Sequence, residues 1–427
     1  MLRFSGTIQD LTREDRRALF DRTTSSDPLV RERTAAIVDR VRREGDAALV
    51  AMAREFDGAT LDRLEVPRGR WRQALDALAP ALRRAMERAA ANVAVAHRAF
   101  RPEVTEIETE PGVLVGRRPD PLGRVGVYAP GGRAAYPSSV LMGAVPARVA
   151  GVGEVILCSP PDASGVPSGV VLAAAALAEA DRVFAVGGAG AIAAMAYGTE
   201  SVPRVDRIVG PGNAYVAEAK LQVAGAVAID SPAGPSELLV LADESSDPTL
   251  VARELCAQAE HDPRAAVAAV VVGDADPVLE ALRRAAPTQP RAVIVREALA
   301  TQGAVLSAGT LDEAVAFAND YAAEHLLLAV TPARRDATLA RLRNAGTVFV
   351  GEYSSVAYGD YMTGANHVLP TGGLARSYSG LSTLDFVRWT TYQRVTAEGA
   401  ARLASDVGTF ADAEGLPGHA AAARAWE

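Results

Sequence analysis

Short apolar segments that end in glycine or proline, each followed by an alanine-rich helical segment, recur through most of this chain after Pro111. This alternation is typical of repeated strand–helix units, whose strands lie in a mainly parallel sheet with helices on its faces. The predicted strands form two blocks: 124–128, 154–158, 182–186 and 205–209, then 238–241, 267–272, 292–295, 326–330 and 347–350. The pattern therefore predicts an α/β protein with two similar, open, mainly parallel sheets of Rossmann-like design.

Helical segments flank the two blocks. Apolar residues recur at helical spacing from about 27 to 100, which predicts a helical N-terminal part. The sequence pattern predicts helices again from about Leu381 onward. Between the blocks, residues 231–235 read Ser-Pro-Ala-Gly-Pro, a composition that suits a crossover rather than a helix or strand.

Composition excludes several functional classes. The chain of 427 residues carries a formal net charge of -8 and has no run of Lys or Arg, which argues against a nucleic-acid partner and favours a small-molecule substrate. The N-terminus does not read as a secretory signal, and no apolar stretch reaches bilayer length, so no membrane contact is predicted. Two isolated cysteines, Cys158 and Cys256, suit the reducing cytoplasm.

Histidine is scarce, and its distribution points to a reaction centre. Of the five histidines, His97 lies in an alanine-rich helical stretch and is interpreted as a packing or surface residue. The other four, which are His261, His325, His367 and His419, lie in peptides rich in Glu, Asp, Asn or Gln. Imidazole transfers protons near neutral pH and commonly binds zinc, so these four residues are the first candidates for a site.

Two of these peptides have specific spacings. Gln258 and His261 are three residues apart near the predicted end of a helix that Asp247-Pro248 begins, so they can share a metal, or His261 can simply stabilise the helix end. Glu324 and His325 precede a predicted strand and could form an acid–base pair, but adjacent residues of an extended segment normally point in opposite directions.

Glycine-rich turns follow two strands of the first block. Gly187 to Gly190 and Gly210 to Asn213 each lie between a predicted strand and a helix. Such turns let a pyrophosphate approach backbone N–H groups at a helix start, but glycine is also common at tight turns without any ligand. Residues 359–367 combine two glycines, Gly359 and Gly364, with polar residues that include Asp360 and His367, as expected of a binding loop.

Taken together and in order, ten motifs resemble those of the histidinol dehydrogenase family. They are Gly126-Val-Tyr128-Ala-Pro-Gly-Gly132, Gly187-Gly-Ala189, Ala196-Tyr-Gly-Thr-Glu200, Gly210-Pro-Gly-Asn213, Ala233-Gly-Pro-Ser-Glu237, Gln258-Ala-Glu-His261, Ala323-Glu-His325-Leu326, Gly359-Asp-Tyr361, Asn366-His-Val-Leu-Pro-Thr371 and Glu414-Gly-Leu-Pro-Gly-His419. They cover nearly the whole chain after the N-terminal helices.

The resemblance implies a zinc-containing, NAD-dependent homodimer that oxidises L-histidinol through the aldehyde to L-histidine. It implies that His325 is the general base and that Glu324 activates the water that hydrates the aldehyde. The zinc ligands matching the family are Gln258, His261, Asp360 and, from the tail of the partner subunit, His419. The substrate-binding set is Ser236, Gln258, His261, His325, Asp360, His367, Glu414 and His419, with Glu414 also reaching across the dimer. Tyr128, Asn213 and the position of Gly190 match contacts to the cofactor.

The resemblance also implies a division of the chain. Residues 1–26 are expected to form an N-terminal arm, 27–127 and 235–380 a zinc- and substrate-binding domain, and 128–234 an NAD-binding domain. Residues 381–427 are expected to form a helical tail that contributes to the partner's site.

One position departs from the family pattern, because Gly190 stands where the family has glutamine. The loss of that amide would weaken NAD binding, and it leaves open a related zinc- and NAD-dependent dehydrogenase of another small polar alcohol, such as sulfopropanediol. A rival of another class is a zinc-dependent hydrolase or a binding protein that kept the metal ligands and lost cofactor use.

Overall fold

The computed structural model describes residues 2–22, 27–131 and 135–427. Gly132 of the first motif therefore lies outside the described residues. The N-terminal part contains one strand and five helices. They are β1 (Phe4–Thr7), α1 (Arg13–Phe20), α2 (Pro28–Glu44), α3 (Asp46–Phe56), α4 (Arg68–Asp76) and α5 (Pro80–Ala99).

Two strands and then the first strand–helix block follow. The strands are β2 (Thr105–Glu110), β3 (Val113–Pro121), β4 (Arg124–Tyr128), β5 (Glu154–Ser159), β6 (Arg182–Ala185), β7 (Arg207–Val209) and β8 (Ala228–Ile229). The helices are α6 (Pro137–Ala150), α7 (Gly169–Leu177), α8 (Gly188–Tyr197) and α9 (Ala214–Val223).

The second block and the tail complete the chain. The strands are β9 (Glu237–Ala242), β10 (Ala266–Val272), β11 (Gly303–Ala308), β12 (His325–Ala329), β13 (Thr347–Val350) and β14 (Val387–Val395). The helices are α10 (Pro248–Ala259), α11 (Asp276–Ala285), α12 (Ala292–Gln302), α13 (Leu311–Tyr321), α14 (Pro332–Leu339), α15 (Val356–Tyr361), α16 (Ala397–Ala413) and α17 (Pro417–Arg424).

The two main sheets have the same strand order, which confirms the predicted fold class. The first is β6-β5-β4-β7-β8, and the second is β11-β10-β9-β12-β13 with β1 added beside β11; every pairing in both is parallel. Successive strands are added first on one side of the initial strand and then on the other. The strand order therefore switches between β4 and β7 in the first sheet and between β9 and β12 in the second. Such a switch point opens a crevice between adjacent loops.

Burial on both faces explains why these strands read as unbroken apolar runs. In β9 and β10 alternate residues belong to two different hydrophobic clusters, with Leu238 and Val240 on one face and Leu239 and Leu241 on the other. A parallel sheet covered by helices on both sides has no polar face, so the alternation seen in half-exposed strands is absent.

The N-terminal helices pack against the first sheet. Buried residues of α2 to α5, such as Val41, Leu49 and Val93, lie in the same hydrophobic cluster as Val125 and Ile208. The division predicted from the sequence grouped residues 27–127 with 235–380, and that division stays a prediction.

Two sequence assignments are wrong. Residues 292–295 begin helix α12 instead of forming a strand, and β11 at 303–308 takes the place in the sheet. Three consecutive apolar residues fit either structure, and the following Arg-Glu-Ala-Leu-Ala favours a helix. In the tail, 387–395 forms β14, which pairs antiparallel with β3 in a small third sheet with β2.

Among the described residues, no helix is both long and apolar enough to cross a membrane.

Candidate active site

A cavity of about 620 Å³ lies where the loops of the first sheet face the strands of the second. It collects predicted site residues that are up to 239 positions apart in the sequence, from Tyr128 to His367. The predicted residues that line it are Tyr128, Asn213, Ser236, His261, Glu324, His325, Asp360 and His367.

The second sheet presents the amino ends of its strands to this cavity. His325 is the first residue of β12, and it pairs in register with Leu238, the second residue of β9. Ligands of open α/β sheets usually bind at the carboxyl ends of the strands. In the first sheet these ends line the cavity through Tyr128 and residues 211–213. The site therefore lies between the carboxyl ends of one sheet and the amino ends of the other.

The hydrogen bonds of His325 define its tautomer. Nδ1 lies 2.9 Å from the carbonyl oxygen of Glu237, and because a carbonyl only accepts, Nδ1 carries the proton. Nε2 is buried, has no hydrogen-bond partner among the described residues, and lies 3.7 Å from Oδ1 of Asp360. A neutral His325 thus has its lone pair on Nε2, as a proton acceptor requires.

The surrounding charges set the pKa of His325. Burial lowers this pKa, but the charge and hydrogen bond of Glu324, the charge of Asp360 and the carbonyl of Glu237 together raise it to about 9. These charges favour the protonated form of the imidazole. A positive charge beside Asp360 would offset the effect of that carboxylate on the pKa of His325 and favour the neutral imidazole.

Glu324 and His325 converge, although they are adjacent in the sequence. Oε2 of Glu324 lies 3.4 Å from Nδ1 of His325, and both side chains line the cavity. The alternation of an extended strand does not separate them because Glu324 precedes the strand, two residues after Ala322, which has a left-handed φ of 53°. The arrangement that sequence reasoning treated as the alternative, with only one of the two facing the site, is not found.

A metal could be held by groups near His261. Asp247 accepts a hydrogen bond from the N–H of Thr249 and caps α10, and that helix carries Gln258 in its last turn with His261 just beyond its end. His261 and Asp360 line the cavity, and the buried Nε2 of Gln258 has no hydrogen-bond partner among the described residues. The amide oxygen of Gln258, the imidazole of His261 and the carboxylate of Asp360 are donors of the kinds that bind zinc.

This ligand set is incomplete within one chain. Across residues 2–22, 27–131 and 135–427, no three His, Cys, Asp or Glu side chains gather at metal-binding spacing. Glu414 and His419 are exposed on the tail, outside the residues that line the cavity.

His367 is held by the same segment as Asp360. Its Nδ1 lies 2.8 Å from the carbonyl oxygen of Asp360, so Nε2 is the free acceptor of the neutral ring. Burial is the main cause that lowers the pKa of His367, while Asp360 acts in the opposite direction. The neighbouring imidazoles therefore have opposite shifts, with His367 kept neutral.

A second, larger cavity of about 1150 Å³ adjoins the first along Tyr128, Pro130, Gly131 and Asn213. The hydroxyl of Tyr128 accepts from the N–H of Gly188 at 3.0 Å, and burial raises the pKa of Tyr128 to about 12. Oδ1 of Asn213 caps α9 by accepting from two backbone N–H groups, which leaves its amide NH₂ for a ligand. These features fit a nucleotide at a switch point.

Glycine is required at Gly210, in the turn after β7, and Gly190, near the start of α8, is closely packed. A Cβ on Gly210, whose φ is +115°, would lie 2.1 Å from the carbonyl oxygen of Tyr128. At Gly190 a Cβ would lie 3.3 Å from Cδ2 of Leu49 and from Sδ of Met52. The α3 helix thus approaches closely at the position where the family has glutamine.

Sequence reasoning missed Asp57, which lines the larger cavity at the end of α3 beside the exposed Phe56. Burial raises the pKa of Asp57 to about 6. A carboxylate in such a place can accept hydrogen bonds from sugar hydroxyls. No local pattern marks it, since one acidic residue after an amphipathic helix is ordinary.

The raised pKa of Asp57 leads to a prediction about stability and pH. Because the folded-state pKa exceeds its ordinary value of 3.8, the ionised carboxyl destabilises the fold increasingly as pH rises from about 4 through about 6. Asp57→Asn should therefore raise the Tm at pH 8 by on the order of 1–3 °C and leave it nearly unchanged at pH 4. The exposed Asp62→Asn is the control, and an equal change for both variants at pH 8 would contradict the expectation.

Comparison with known proteins shows which family this chain is similar to. The family model described as "Histidinol dehydrogenase" matches residues 20–426. Proteins with that name from Halobacterium salinarum and Xanthomonas euvesicatoria are 49% and 47% identical, and the matches cover 97% and 91% of both chains, respectively. A crystal structure of histidinol dehydrogenase from Elizabethkingia anophelis superposes with a TM-score of 0.94 at 33% identity, covering 100% of this chain and 98% of the other.

Proposed function

The chain belongs to the histidinol dehydrogenase family, and we propose that it oxidises L-histidinol to L-histidine in two NAD-dependent steps, through the aldehyde, at the smaller cavity. It is an oxidoreductase of histidine biosynthesis. The matching relatives carry the histidinol name, so an enzyme for another polar alcohol, such as sulfopropanediol, is not favoured.

One observation carries the proposed reaction site: four groups with different chemistry line one cavity that adjoins a nucleotide-sized one. They are a potential base at His325, a carboxylate at Glu324, metal-ligand types at His261 and Asp360, and hydrogen-bonding groups at Ser236 and His367. A single small polar substrate can touch all of them at once.

His325 is the proposed base in both oxidations. Its Nδ1 is held by the carbonyl of Glu237, so its unpartnered Nε2 is aimed by a fixed hydrogen bond. Each oxidation removes a proton from oxygen as the carbon loses hydride, first from the alcohol and then from the hydrated aldehyde. Nε2 receives that proton in both cases.

Glu324 is proposed to activate the water that hydrates the aldehyde. Oε2 accepts the backbone N–H of Glu237 at 2.7 Å, which fixes the carboxylate at the cavity wall. Ser236 and the neutral His367 would orient the polar end of the substrate.

The proposed zinc ligands are Gln258, His261, Asp360 and the tail residue His419, which would come from a second copy of the chain with Glu414. When bound, zinc anchors substrate nitrogen atoms and offsets the charge of Asp360, and NAD accepts the hydride. The larger cavity, with Tyr128, Gly190 and Asn213, is the proposed NAD site. The homodimer and the cytoplasmic location are parts of this proposal.

The direct test supplies zinc-loaded protein with L-histidinol and NAD. We expect two NADH for each histidine, because an alcohol loses four electrons in becoming a carboxylate. Chelation should abolish turnover and added zinc should restore it. NADH formation only with other polar alcohols would support the related dehydrogenase, and no heat on titrating NAD would support the rival that lost cofactor use.

A further inference from the structure

Behind Glu324 and His325, away from the cavity lining, lies a buried charge cluster. Arg22 follows α1 in the N-terminal segment, and its side chain is 3% exposed. Nη1 lies 3.2 Å from Oε2 of Glu237, whose side chain is 1% exposed. The guanidinium also lies 3.6 Å from the centre of the Tyr321 ring, and its Nη2 donates to the carbonyl oxygen of Tyr321.

Glu237 connects this cluster to the proposed catalytic pair. Its backbone N–H donates to the carboxylate of Glu324 at 2.7 Å, and the backbone N–H of Glu324 donates back to its carboxylate at 3.2 Å. The carbonyl of Glu237 accepts from Nδ1 of His325 at 2.9 Å. One residue thus contacts both Glu324 and His325 across the β9–β12 pairing.

The same carboxylate also holds a loop of the cavity wall. Oε1 of Glu237 accepts from the N–H of Gly372 at 2.6 Å, next to Thr371, which lines the cavity. Burial raises the pKa of Glu237, and Arg22 and the Gly372 N–H act against that effect. The guanidinium of Arg22 thus lies near two buried carboxylates, those of Glu237 and Glu324.

We propose that Arg22 is a positioning residue for the reaction: it keeps Glu237 in place, and Glu237 in turn fixes Glu324 and His325. Removing the guanidinium leaves an unpaired buried carboxylate next to a second one, and such a charge must take a proton or move. Either change weakens the reciprocal hydrogen bonds that orient the pair. The inference rests on the proposed roles of Glu324 and His325.

The test compares Arg22→Met, Arg22→Lys, Glu237→Gln and the double variant Arg22→Met/Glu237→Gln in full-length, zinc-loaded protein. A shift of about 1 Å in reacting groups can cost on the order of 100-fold in rate, so kcat of Arg22→Met should fall by about that factor. KM for histidinol and bound zinc should stay within about threefold, because Arg22 lies outside the cavity lining.

Charge conservation provides the discriminating result. Arg22→Lys should recover at least about tenfold of the lost kcat, and the double variant should lose less than the product of the two single losses, since it leaves no lone buried charge. If Arg22→Met does not fold, the kcat values of Arg22→Lys and of the double variant test the proposed role of Arg22.

The matched control is Asp243→Asn. Asp243 is a buried carboxylate, 2% exposed, just beyond the opposite end of β9, and it accepts N–H groups of Ser245 and Thr331. Asp243→Asn should lower the Tm, and at temperatures below the unfolding transition it should leave kcat unchanged. If Arg22→Met keeps kcat near wild type, or loses it only in proportion to the Tm change seen with Asp243→Asn, the proposal is wrong.

Backbone amide exchange tests the inference independently of turnover. Peptides containing the N–H groups of Glu324 and Gly372 should exchange faster in Arg22→Met and remain protected in Asp243→Asn. If the wild-type protein does not oxidise histidinol, the proposed function is refuted, and amide exchange alone then tests whether Arg22 holds Glu237 and Glu324 in place. Unchanged protection in Arg22→Met would overturn the proposed role of Arg22.

Discussion

Replacing His325 by alanine is expected to lower kcat by on the order of 10²–10⁴-fold while bound zinc stays near the wild-type level. Nδ1 of the imidazole is held by a backbone carbonyl, and its buried Nε2 has no hydrogen-bond partner among the described residues. Without it, the proton of the substrate alcohol has no aligned acceptor. Stopped-flow measurement of NADH formation and metal analysis of the same sample check both parts.

His97→Ala is the matched control, because His97 is also buried and also has Nδ1 2.9 Å from a carbonyl, that of Val93. It lies outside both cavity linings, so it should change stability more than kcat. Loss of zinc from His325→Ala would assign the residue to metal binding and reject its role as base.

Mixed dimers should recover activity that neither parent has. His419→Ala and His261→Ala should each abolish zinc binding and turnover if the tail of one subunit completes the site of the other. Random mixing makes half of the dimers mixed, and each of these holds one intact site, so about a quarter of wild-type activity should return. Activity and zinc content after co-refolding or co-expression measure this.

The control mixture is His419→Ala with Glu414→Ala. Both substitutions lie in the tail, so each site of a mixed dimer receives one defective tail and no intact site forms. No recovery in the first mixture would show that the tail serves its own subunit, and recovery in the control mixture would show that the tail of one subunit does not complete the site of the other.

Most of the fold could be predicted because parallel sheets leave a local pattern. The strands β4 and β13 have the predicted bounds, and the glycine turns after β6 and β7 lie where expected. The errors came where local pattern is ambiguous: Val293 to Val295 fits a strand or a helix, and β14 depends on its pairing with β3. Strand pairing across more than 260 residues has no short-range signature.

The candidate site was predicted in its residue types and only partly in its arrangement. The motifs named Glu324 and His325, but their convergence depends on the left-handed turn at Ala322 that ends α13. Glu237 was visible as an acidic residue at the start of an apolar strand, a signal of a paired buried charge. Arg22 gave no such signal, because a single arginine after a short helix rich in charged residues is ordinary.

The sequence by itself determined the α/β class, the two similar sheets and, through the resemblance, the family, because periodicity and turn residues act over a few positions. Only the tertiary structure decided that the second sheet offers its amino ends to the site, that Arg22 lies behind Glu237, and that the pKa of His325 is raised while that of His367 is lowered. These properties arise from burial and from charges on segments that are far apart in the sequence, and electrostatic interactions depend on distance in space.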